Sequence, residues 1–360
     1  MGRANEGGRL AYADLLRVAA MLAVIMNHAA AGWLESLPVG AGDWHALNVW
    51  DSLSRWAVPA FVMCSGMFLL DPKKELSWSS LFFRHLLRIG AALVVWGTVY
   101  QLFWAWRDGS LGLGSLLPAL RAVVLGRTED HLWFLPMMAG LYLLTPVLRA
   151  FVRGAKRSDF HWFFLLYALF MLCLPLFLRL RGSQTAAYYA DRMYLNFNVA
   201  FPPLAYVGYY VAGYYLKTYP LSRPVRLLLY ALGLAGLAAT AGGTFLLSRQ
   251  AGGLDTTLYS NLSLNVALTT VALFVLFRYA LGAARLAGSA LALVRALSEV
   301  SFGVYLCHIL FLHLLRILGL GTLPLPAAAG APLLTLLILL PSFALSWLLH
   351  KLPLVGRYIT

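Results

Sequence analysis

The sequence predicts an all-α integral membrane protein in which about ten transmembrane helices surround a central polar cavity. Of its 360 residues, 61% are hydrophobic and only 12% are charged, and the mean hydropathy is +0.75. Soluble proteins carry about 25% charged residues. Apolar stretches of the roughly 20 residues that a helix needs to cross a bilayer recur along the chain. Several contain ionisable residues, which cost about 2.5–3.5 kcal/mol each at bilayer depth and therefore predict a polar interior.

Ten stretches have the length and apolarity of a membrane span. They lie near residues 10–34, 46–70, 80–106, 131–151, 160–180, 197–217, 226–247, 257–278, 293–316 and 330–350.

The basic residues predict the orientation of these spans. An even number of spans places both chain ends on one side, which carries eighteen of the 28 Lys and Arg residues, whereas the other side carries eight. The remaining two, Arg17 and Arg55, lie within spans. Because cytoplasmic loops are enriched in Lys and Arg, both termini are expected in the cytoplasm. Topology accounts for most of the net charge of +14, which therefore does not indicate nucleic-acid binding.

The first span carries Asp14, Arg17 and His28. Eleven residues separate Arg17 from His28, which is close to three full helical turns, so both side chains are expected to face one cavity about 16 Å apart. Asp14 precedes Arg17 by one turn and can neutralise its guanidinium. These three residues are the candidates for catalysis.

The second span contains Asp51 and Arg55 at i,i+4, a spacing that favours an ion pair. Pro59 and Gly66 permit either a bend in this helix or close approach of another backbone, although ordinary helix packing is an alternative. The three cysteines, Cys64, Cys173 and Cys307, lie in spans without metal-ligand spacing, so no metal site is expected.

A basic segment precedes and opens the third span. It contains Lys73, Lys74, Arg84, His85 and Arg88. One interpretation is cytoplasmic retention and contact with anionic membrane lipid. The other is a phosphate site for a cytosolic cofactor.

Polar and aromatic residues around the fourth and ninth spans are candidates for substrate binding, since carbohydrate is commonly held by acidic and aromatic groups. Glu129, Asp130 and Trp133 predict the rim of a polar pocket, whereas His131 and Trp133 also fit an interfacial aromatic belt. In the ninth span, Tyr305 and His308 share one stripe with Ser301. The residues expected to bind the substrate are Arg55, Glu129, Asp130, Trp133, Tyr305 and His308.

Five ordered blocks of this sequence resemble the acyltransferase 3 family. They are the Asp-x-x-Arg-x10-His pattern of Asp14, Arg17 and His28, followed by RWAVPAFVMCSGMFLL, HLWFLPMMAGLYLLTPVLR, GYYVAGYYL and SFGVYLCH. Within that family the chain is most similar to stand-alone bacterial surface-polysaccharide O-acetyltransferases. The resemblance covers almost the whole chain, which is expected to form a single domain over residues 1–360 without a fused soluble domain.

The resemblance implies transfer of an acyl group, usually acetyl from cytosolic acetyl-CoA, to a hydroxyl of an extracytoplasmic or lipid-linked glycan at the bacterial inner membrane. It also implies that His28 and Arg17 are the essential histidine and arginine. The family's Arg-x-x-Arg motif falls on His85 and Arg88, and Arg84 can replace the missing first arginine. The protein either acts alone or hands the group to a separate extracytoplasmic transferase partner.

The expected mechanism places CoA phosphates on the basic segment and the thioester near His28. A neutral imidazole suits a general base that takes the acceptor's proton, and an acyl-histidine relay is the alternative. Arg17 would hold the donor or stabilise developing negative charge.

Two other classes of function compete with the transferase. In a transporter or flippase, His28, Arg17 and Arg55 would couple protons or gate the substrate. No inverted repeat is visible, and the basic segment would have no role in that class. A sensor or scaffold in a glycan-export complex is the third hypothesis.

Overall fold

A computed structural model describes residues 10–181, Tyr188, 202–281, 288–353 and 356–360, and these residues form helices and connecting loops without a β-strand. The helices are α1 (Ala11–Leu34), α2 (Gly42–Ser52), α3 (Ala57–Leu69), α4 (Trp78–Arg107), α5 (Leu116–Val124), α6 (Asp130–Gly154), α7 (Arg157–Leu180), α8 (Pro202–Thr218), α9 (Arg223–Ala251), α10 (Leu264–Leu276), α11 (Gly288–Ile317), α12 (Ala327–His350) and α13 (Gly356–Ile359).

The predicted class, an all-α integral membrane protein, is confirmed. Within the described residues, nine helical segments are long and apolar enough to cross a membrane. The stretch expected at residues 197–217 is represented by α8, whose 17 residues pack against α3 and α6. Its tyrosines Tyr209 and Tyr210 are buried in the main core, so α8 is an interior helix of the bundle.

Helix α1 lies at the centre of the part that forms the site. It packs against α2, α3, α11 and α12. Its apolar side chains Leu16, Met21 and Ile25 are fully buried. This packing holds the stripe that bears Arg17 and His28 against the neighbouring helices.

The second predicted span is confirmed as one membrane-length segment, Gly42–Leu69, but it consists of two helices joined by a turn. Helix α2 ends at Ser52, residues 53–56 form turns, and α3 begins at Ala57. Pro59 explains the position of the break, because proline has no N–H to donate and its ring clashes with the carbonyl of the residue four positions earlier. That earlier residue is Arg55, which therefore lies in the irregular turn and not in a regular helix.

Close approach of backbones joins α3 to α8. A Cβ atom on Gly66 would lie 1.8 Å from the carbonyl oxygen of Tyr210, and one on Gly213 would lie 1.9 Å from that of Met63. Only glycine fits at these two positions, as in other membrane helix pairs with small residues at the interface. The close approach that the sequence suggested for Gly66 is confirmed.

Candidate active site

A cavity of 430 Å³, called here the basic cavity, opens between α1, α4, α6 and α11. Its lining includes the predicted residues Arg17, Arg84, His85, Arg88 and Tyr305. Four of these five carry basic side chains, which can bind phosphate through charge-assisted hydrogen bonds. The cavity therefore has the chemistry expected of a site for a phosphate-bearing ligand.

The start of α4 positions three of the basic side chains. Residues Leu81–Leu86 form a π-helical turn, a widened geometry that occurs frequently at functional sites. The ring of His85 lies 5.4 Å from that of Tyr142. Arg88 lies over the ring of Phe302 at 4.7 Å and donates a hydrogen bond to the carbonyl of Thr360. Arg84 is exposed at the mouth and is free of this packing.

The structure separates Lys73 and Lys74 from the other basic residues of the segment. Neither lines the basic cavity, and both are exposed in the loop before α4. The Lys74 ammonium lies 5.1 Å from the centroid of the Phe68 ring, and the Arg17 guanidinium lies at the same distance from that ring. Lys74 thus lies near a residue of the cavity, whereas no such contact joins Lys73 to the cavity among the described residues.

Arg17 is held in the basic cavity by a buried carboxylate. Asp14 is 1% exposed and lies 3.7 Å from the Arg17 guanidinium. The hydroxyl of Ser298 donates to Asp14 Oδ1 at 2.8 Å. The predicted pairing of Asp14 with Arg17 is confirmed. Asp14 does not line the cavity itself, so it contacts Arg17 from the buried side.

A second cavity of 220 Å³, called here the histidine pocket, adjoins the first. It is lined by His28, His131, Arg55, Trp133 and Tyr305, together with Val24, Asn27, Ser54, Ala57, Val58 and Asn261. Because Tyr305 lines both cavities, its side chain lies in the wall between them. Its hydroxyl donates to the carbonyl of His131, which keeps the phenol in that position.

Three histidines from different helices meet at the histidine pocket. The ring centroid of His28 lies 5.2 Å from that of His308 and 6.5 Å from that of His131, and the last two lie 5.3 Å apart. His308 is 0% exposed and lines none of the cavities described here, so it lies behind His28 and not beside an acceptor. His131 is 4% exposed, which excludes the aromatic-belt interpretation for this residue.

Arg55 stands at the outlet of the histidine pocket. The predicted ion pair with Asp51 is confirmed at 2.5 Å, and Asp51 also accepts a hydrogen bond from Asn27. The Arg55 guanidinium lies 4.1 Å from the centroid of the Tyr259 ring. These contacts hold a cation at a point where the pocket meets a wider space.

That wider space is a cavity of 1290 Å³, called here the wide cavity. It shares Arg55, Trp133 and Asn261 with the histidine pocket, and it is also lined by Glu129 and Asp130. The Trp133 ring is 39% exposed and lies 5.6 Å from the ring of Tyr206. Such a surface combines an aromatic platform with polar groups.

Glu129 is held at the rim of the wide cavity by two donors. Trp104 Nε1 donates to it at 2.9 Å, and His313 Nε2 lies 2.8 Å from its other carboxylate oxygen. Burial raises the pKa of Glu129, but the hydrogen bonds from His313 and Trp104 outweigh this effect, so that its pKa lies below the usual value. The carboxylate is therefore ionised at neutral pH.

The arrangement differs from the predicted single cavity that Arg17 and His28 would share. Arg17 faces the basic cavity and His28 the histidine pocket, and the Tyr305 side chain lies in the wall between them. The helical spacing placed both residues on one stripe of α1 but could not show that a tyrosine of α11 lies in the wall between two cavities. Shared lining residues join the three cavities in a series, Tyr305 between the first two and Arg55, Trp133 and Asn261 between the second and third.

A family model described as an acyltransferase domain matches residues 10–351. The chain belongs to the acyltransferase 3 family. No curated protein and no solved structure matches the chain. The protein is therefore a multi-pass membrane acyltransferase, and the series of cavities described above lies within the domain that the family model covers.

Sequence reasoning missed some residues of this acyltransferase site. Ser298 and Asn27 bind the carboxylates that hold Arg17 and Arg55, but an isolated serine or asparagine in an apolar span carries no distinctive signal. His131 was visible as a histidine beside the predicted acceptor rim. Within the described part of the chain, no group of His, Cys, Asp and Glu side chains is arranged to hold a metal ion.

Proposed function

We propose that this acyltransferase moves an acetyl group from cytosolic acetyl-CoA to a hydroxyl of an extracytoplasmic or lipid-linked glycan. The observation that carries the proposal is the series of cavities, which has a basic end, a histidine in its narrow middle and a wide aromatic and polar end. A donor with phosphates and an acceptor with hydroxyls would thus enter from opposite ends and meet at His28.

The donor binds at the basic cavity in this proposal. Arg84, His85 and Arg88 contact the phosphates of CoA, since guanidinium groups suit phosphate oxygens. Arg17 lies further along the same cavity, so it holds the donor and does not contact the acceptor. The pantetheine arm passes Tyr305 to bring the thioester to the histidine pocket.

The acceptor binds in the wide cavity, which has the volume for a saccharide and presents the Trp133 ring to it. Glu129, Asp130 and Arg55 are the charged groups available to sugar hydroxyls. A hydroxyl that projects past Arg55 and Trp133 would reach His28 in the histidine pocket.

His28 acts as a general base in the direct form of this reaction. Its imidazole takes the proton of the hydroxyl while the hydroxyl oxygen attacks the thioester carbonyl. A C–O bond forms, the C–S bond breaks, and the imidazolium returns its proton to the leaving thiolate. In the relay form the bare imidazole nitrogen attacks first, so that a C–N bond forms, the C–S bond breaks and the CoA thiolate leaves. The hydroxyl oxygen then takes the acyl group from His28 as the C–N bond breaks, and the hydroxyl proton passes to the thiolate.

Single-turnover transfer from radiolabelled acetyl-CoA tests the proposal with the purified protein in liposomes that contain candidate glycan-lipids. The wild type is compared with His28→Ala and with a matched control, His45→Ala, because His45 is an exposed histidine of α2. Label should reach the acceptor with the wild type and His45→Ala, and not with His28→Ala. Label trapped on the wild-type protein would identify the relay.

Two results would overturn the proposal. Substantial transfer by His28→Ala would remove the assigned role of His28. A wild-type protein that neither binds nor consumes acetyl-CoA, but moves glycan-lipid across the bilayer, would identify a transporter or flippase.

A further inference from the structure

The cluster of His28, His131 and His308 contains more imidazole groups than the proposed reaction uses. His28 and His131 line the histidine pocket, whereas His308 is completely buried on the other side of His28. His28 thus has the pocket on one side and the His308 ring on the other.

The hydrogen bond at Nδ1 determines which nitrogen of His308 carries the proton. Nδ1 lies 2.6 Å from the carbonyl oxygen of Tyr305, and a carbonyl can only accept, so Nδ1 is the donor. In a neutral ring Nε2 is then bare and can only accept. This Nε2 is buried and has no hydrogen-bond partner among the described residues.

His131 is held in a comparable state. Its Nε2 lies 3.3 Å from the carbonyl oxygen of Leu306 and donates to it, which leaves Nδ1 bare. That Nδ1 is also buried without a partner in the described part of the chain. A buried acceptor without a donor is unfavourable. His308 Nε2 and His131 Nδ1 are two such acceptors, and the His28 ring is a neighbour of both histidines.

His28 is the ring that can supply this donor to His308, because the His131 ring, 5.3 Å from His308, already gives its N–H to the carbonyl of Leu306. An imidazole nitrogen lies about 1.2 Å from its ring centroid, so an in-line N–H···N bond of about 2.9 Å separates two centroids by about 5.3 Å. The observed separation of the His28 and His308 centroids is 5.2 Å. The bond is not formed in the structure, where His308 Nε2 has no partner among the described residues. Rotation of the His28 ring about its Cβ–Cγ bond would turn a ring nitrogen toward Nε2 with little movement of the ring centroid.

We infer that His308 is a positioning residue for His28. Its bare Nε2 accepts an N–H from the His28 ring, which leaves the other His28 nitrogen bare and directed into the histidine pocket. This inference rests on the proposed function, because the bare nitrogen of His28 is the one that takes the hydroxyl proton or attacks the thioester.

The proton balance of the step is simple. When His28 takes the proton of the acceptor hydroxyl, the resulting imidazolium keeps its N–H to His308, and that hydrogen bond becomes charge-assisted and stronger. No proton passes to His308. The gain appears as charge develops in the transition state, so His308 should affect kcat and leave the binding of the donor unchanged.

Three substitutions separate this role from simple packing. The amide of His308→Gln reaches the position of Nε2 and can present an acceptor oxygen there. The shorter amide of His308→Asn reaches only the position of Nδ1, and His308→Phe offers neither group. Steady-state kcat and the KM for acetyl-CoA are measured for each variant, together with CoA binding and thermal unfolding to show that the variant is folded.

We expect His308→Asn and His308→Phe to lose about 10- to 100-fold in kcat, the range of a lost charge-assisted hydrogen bond, with little change in KM. His308→Gln should recover most of the wild-type kcat. Folded Asn and Phe variants with wild-type kcat would overturn the inference and leave the proposed function intact, as would equal losses in the Gln and Asn variants. A wild type that consumes no acetyl-CoA would overturn both.

Discussion

Asp14 and Asp51 show how individual residues keep guanidinium groups in place inside this membrane protein. Each carboxylate is buried and lies beside one arginine, Arg17 or Arg55, at 3.7 Å and 2.5 Å. A charge at this depth is tolerated when it is paired and hydrogen-bonded. The two arginines can then face the cavities, because the buried carboxylates offset the free-energy cost of placing their charges inside the membrane.

Removal of one cavity arginine tests the assignment of the basic cavity. Arg84→Gln should weaken CoA binding about tenfold, because a charge-assisted contact with phosphate is lost. Isothermal titration of the purified protein with CoA measures this change. Arg84 is the suitable position because its side chain is exposed at the cavity and does not hold other elements together.

The matched control for this experiment is Lys73→Gln, which removes a positive charge from the exposed loop outside the cavity. It should leave CoA affinity within about twofold of the wild type, since exposed charges interact weakly across solvent. Equal losses in the two variants would show that the phosphates bind to the whole basic segment and not to the basic cavity.

At the scale of secondary-structure elements, two departures from a regular helix shape the site. The break before Pro59 places Arg55 in a turn at the outlet of the histidine pocket. The π-helical turn Leu81–Leu86 brings Arg84 and His85 to the same cavity as Arg88. In both cases a change of backbone geometry places a basic side chain in the lining of a cavity.

The contact of α3 with α8 gives a prediction about stability. Gly66→Ala would place a methyl group 1.8 Å from the backbone oxygen of Tyr210, and a backbone atom cannot swing aside as a side chain can. The two helices must separate, at a cost of about 1–3 kcal/mol typical of overpacking. Thermal unfolding in detergent, followed by tryptophan fluorescence, should show a lower midpoint.

Gly90→Ala is the matched control, because nothing lies within 4 Å of a Cβ atom at Gly90 in α4. Alanine is the better helix former by about 0.5–1 kcal/mol, so the unfolding midpoint should stay constant or rise. An equal decrease in both variants would contradict the assigned close packing of α3 on α8.

At the scale of the whole molecule, the Glu129 contacts join three separate parts of the chain. Trp104 lies in α4, His313 lies in α11, and Glu129 immediately precedes α6. Because the folded-state pKa of Glu129 is below its usual value, these contacts contribute stability above the unfolded-state pKa. That contribution is lost as the pH falls through the folded-state pKa.

This linkage predicts a pH-dependent difference between the wild type and Glu129→Gln. The wild type should have the higher unfolding midpoint at about pH 7, and the difference should shrink as the pH falls below the ordinary glutamate pKa of about 4.3. Thermal unfolding in detergent across this range measures it. A constant difference at all pH values would show that charge on Glu129 does not stabilise the fold.

Orientation in the membrane gives a second prediction at this scale. Both chain ends are expected in the cytoplasm, which would open the basic cavity to cytosolic CoA. A fluorescent protein joined after Thr360 should fluoresce, and alkaline phosphatase at the same position should be inactive. Phosphatase inserted at Gly109, in the loop between α4 and α5, should be active. The reverse pattern would place the basic cavity on the wrong side for a cytosolic donor.

The sequence by itself determined the membrane class, the order of the helices and the charged stripe of α1. These properties follow from local composition and helical periodicity, which neighbouring residues encode directly. The ion pairs of Asp14 with Arg17 and of Asp51 with Arg55 were predictable for the same reason, since the partners are only three and four residues apart.

Only the tertiary structure decided how these elements form a site. Arg17 joins Arg84 and Arg88 in one cavity, whereas His28 joins His131 in another and has the buried His308 ring behind it. These partners are far apart in sequence, and their contacts depend on how each helix is rotated and where its backbone breaks. Spacing within one helix specifies the face on which a side chain lies, but packing between helices decides what that face meets.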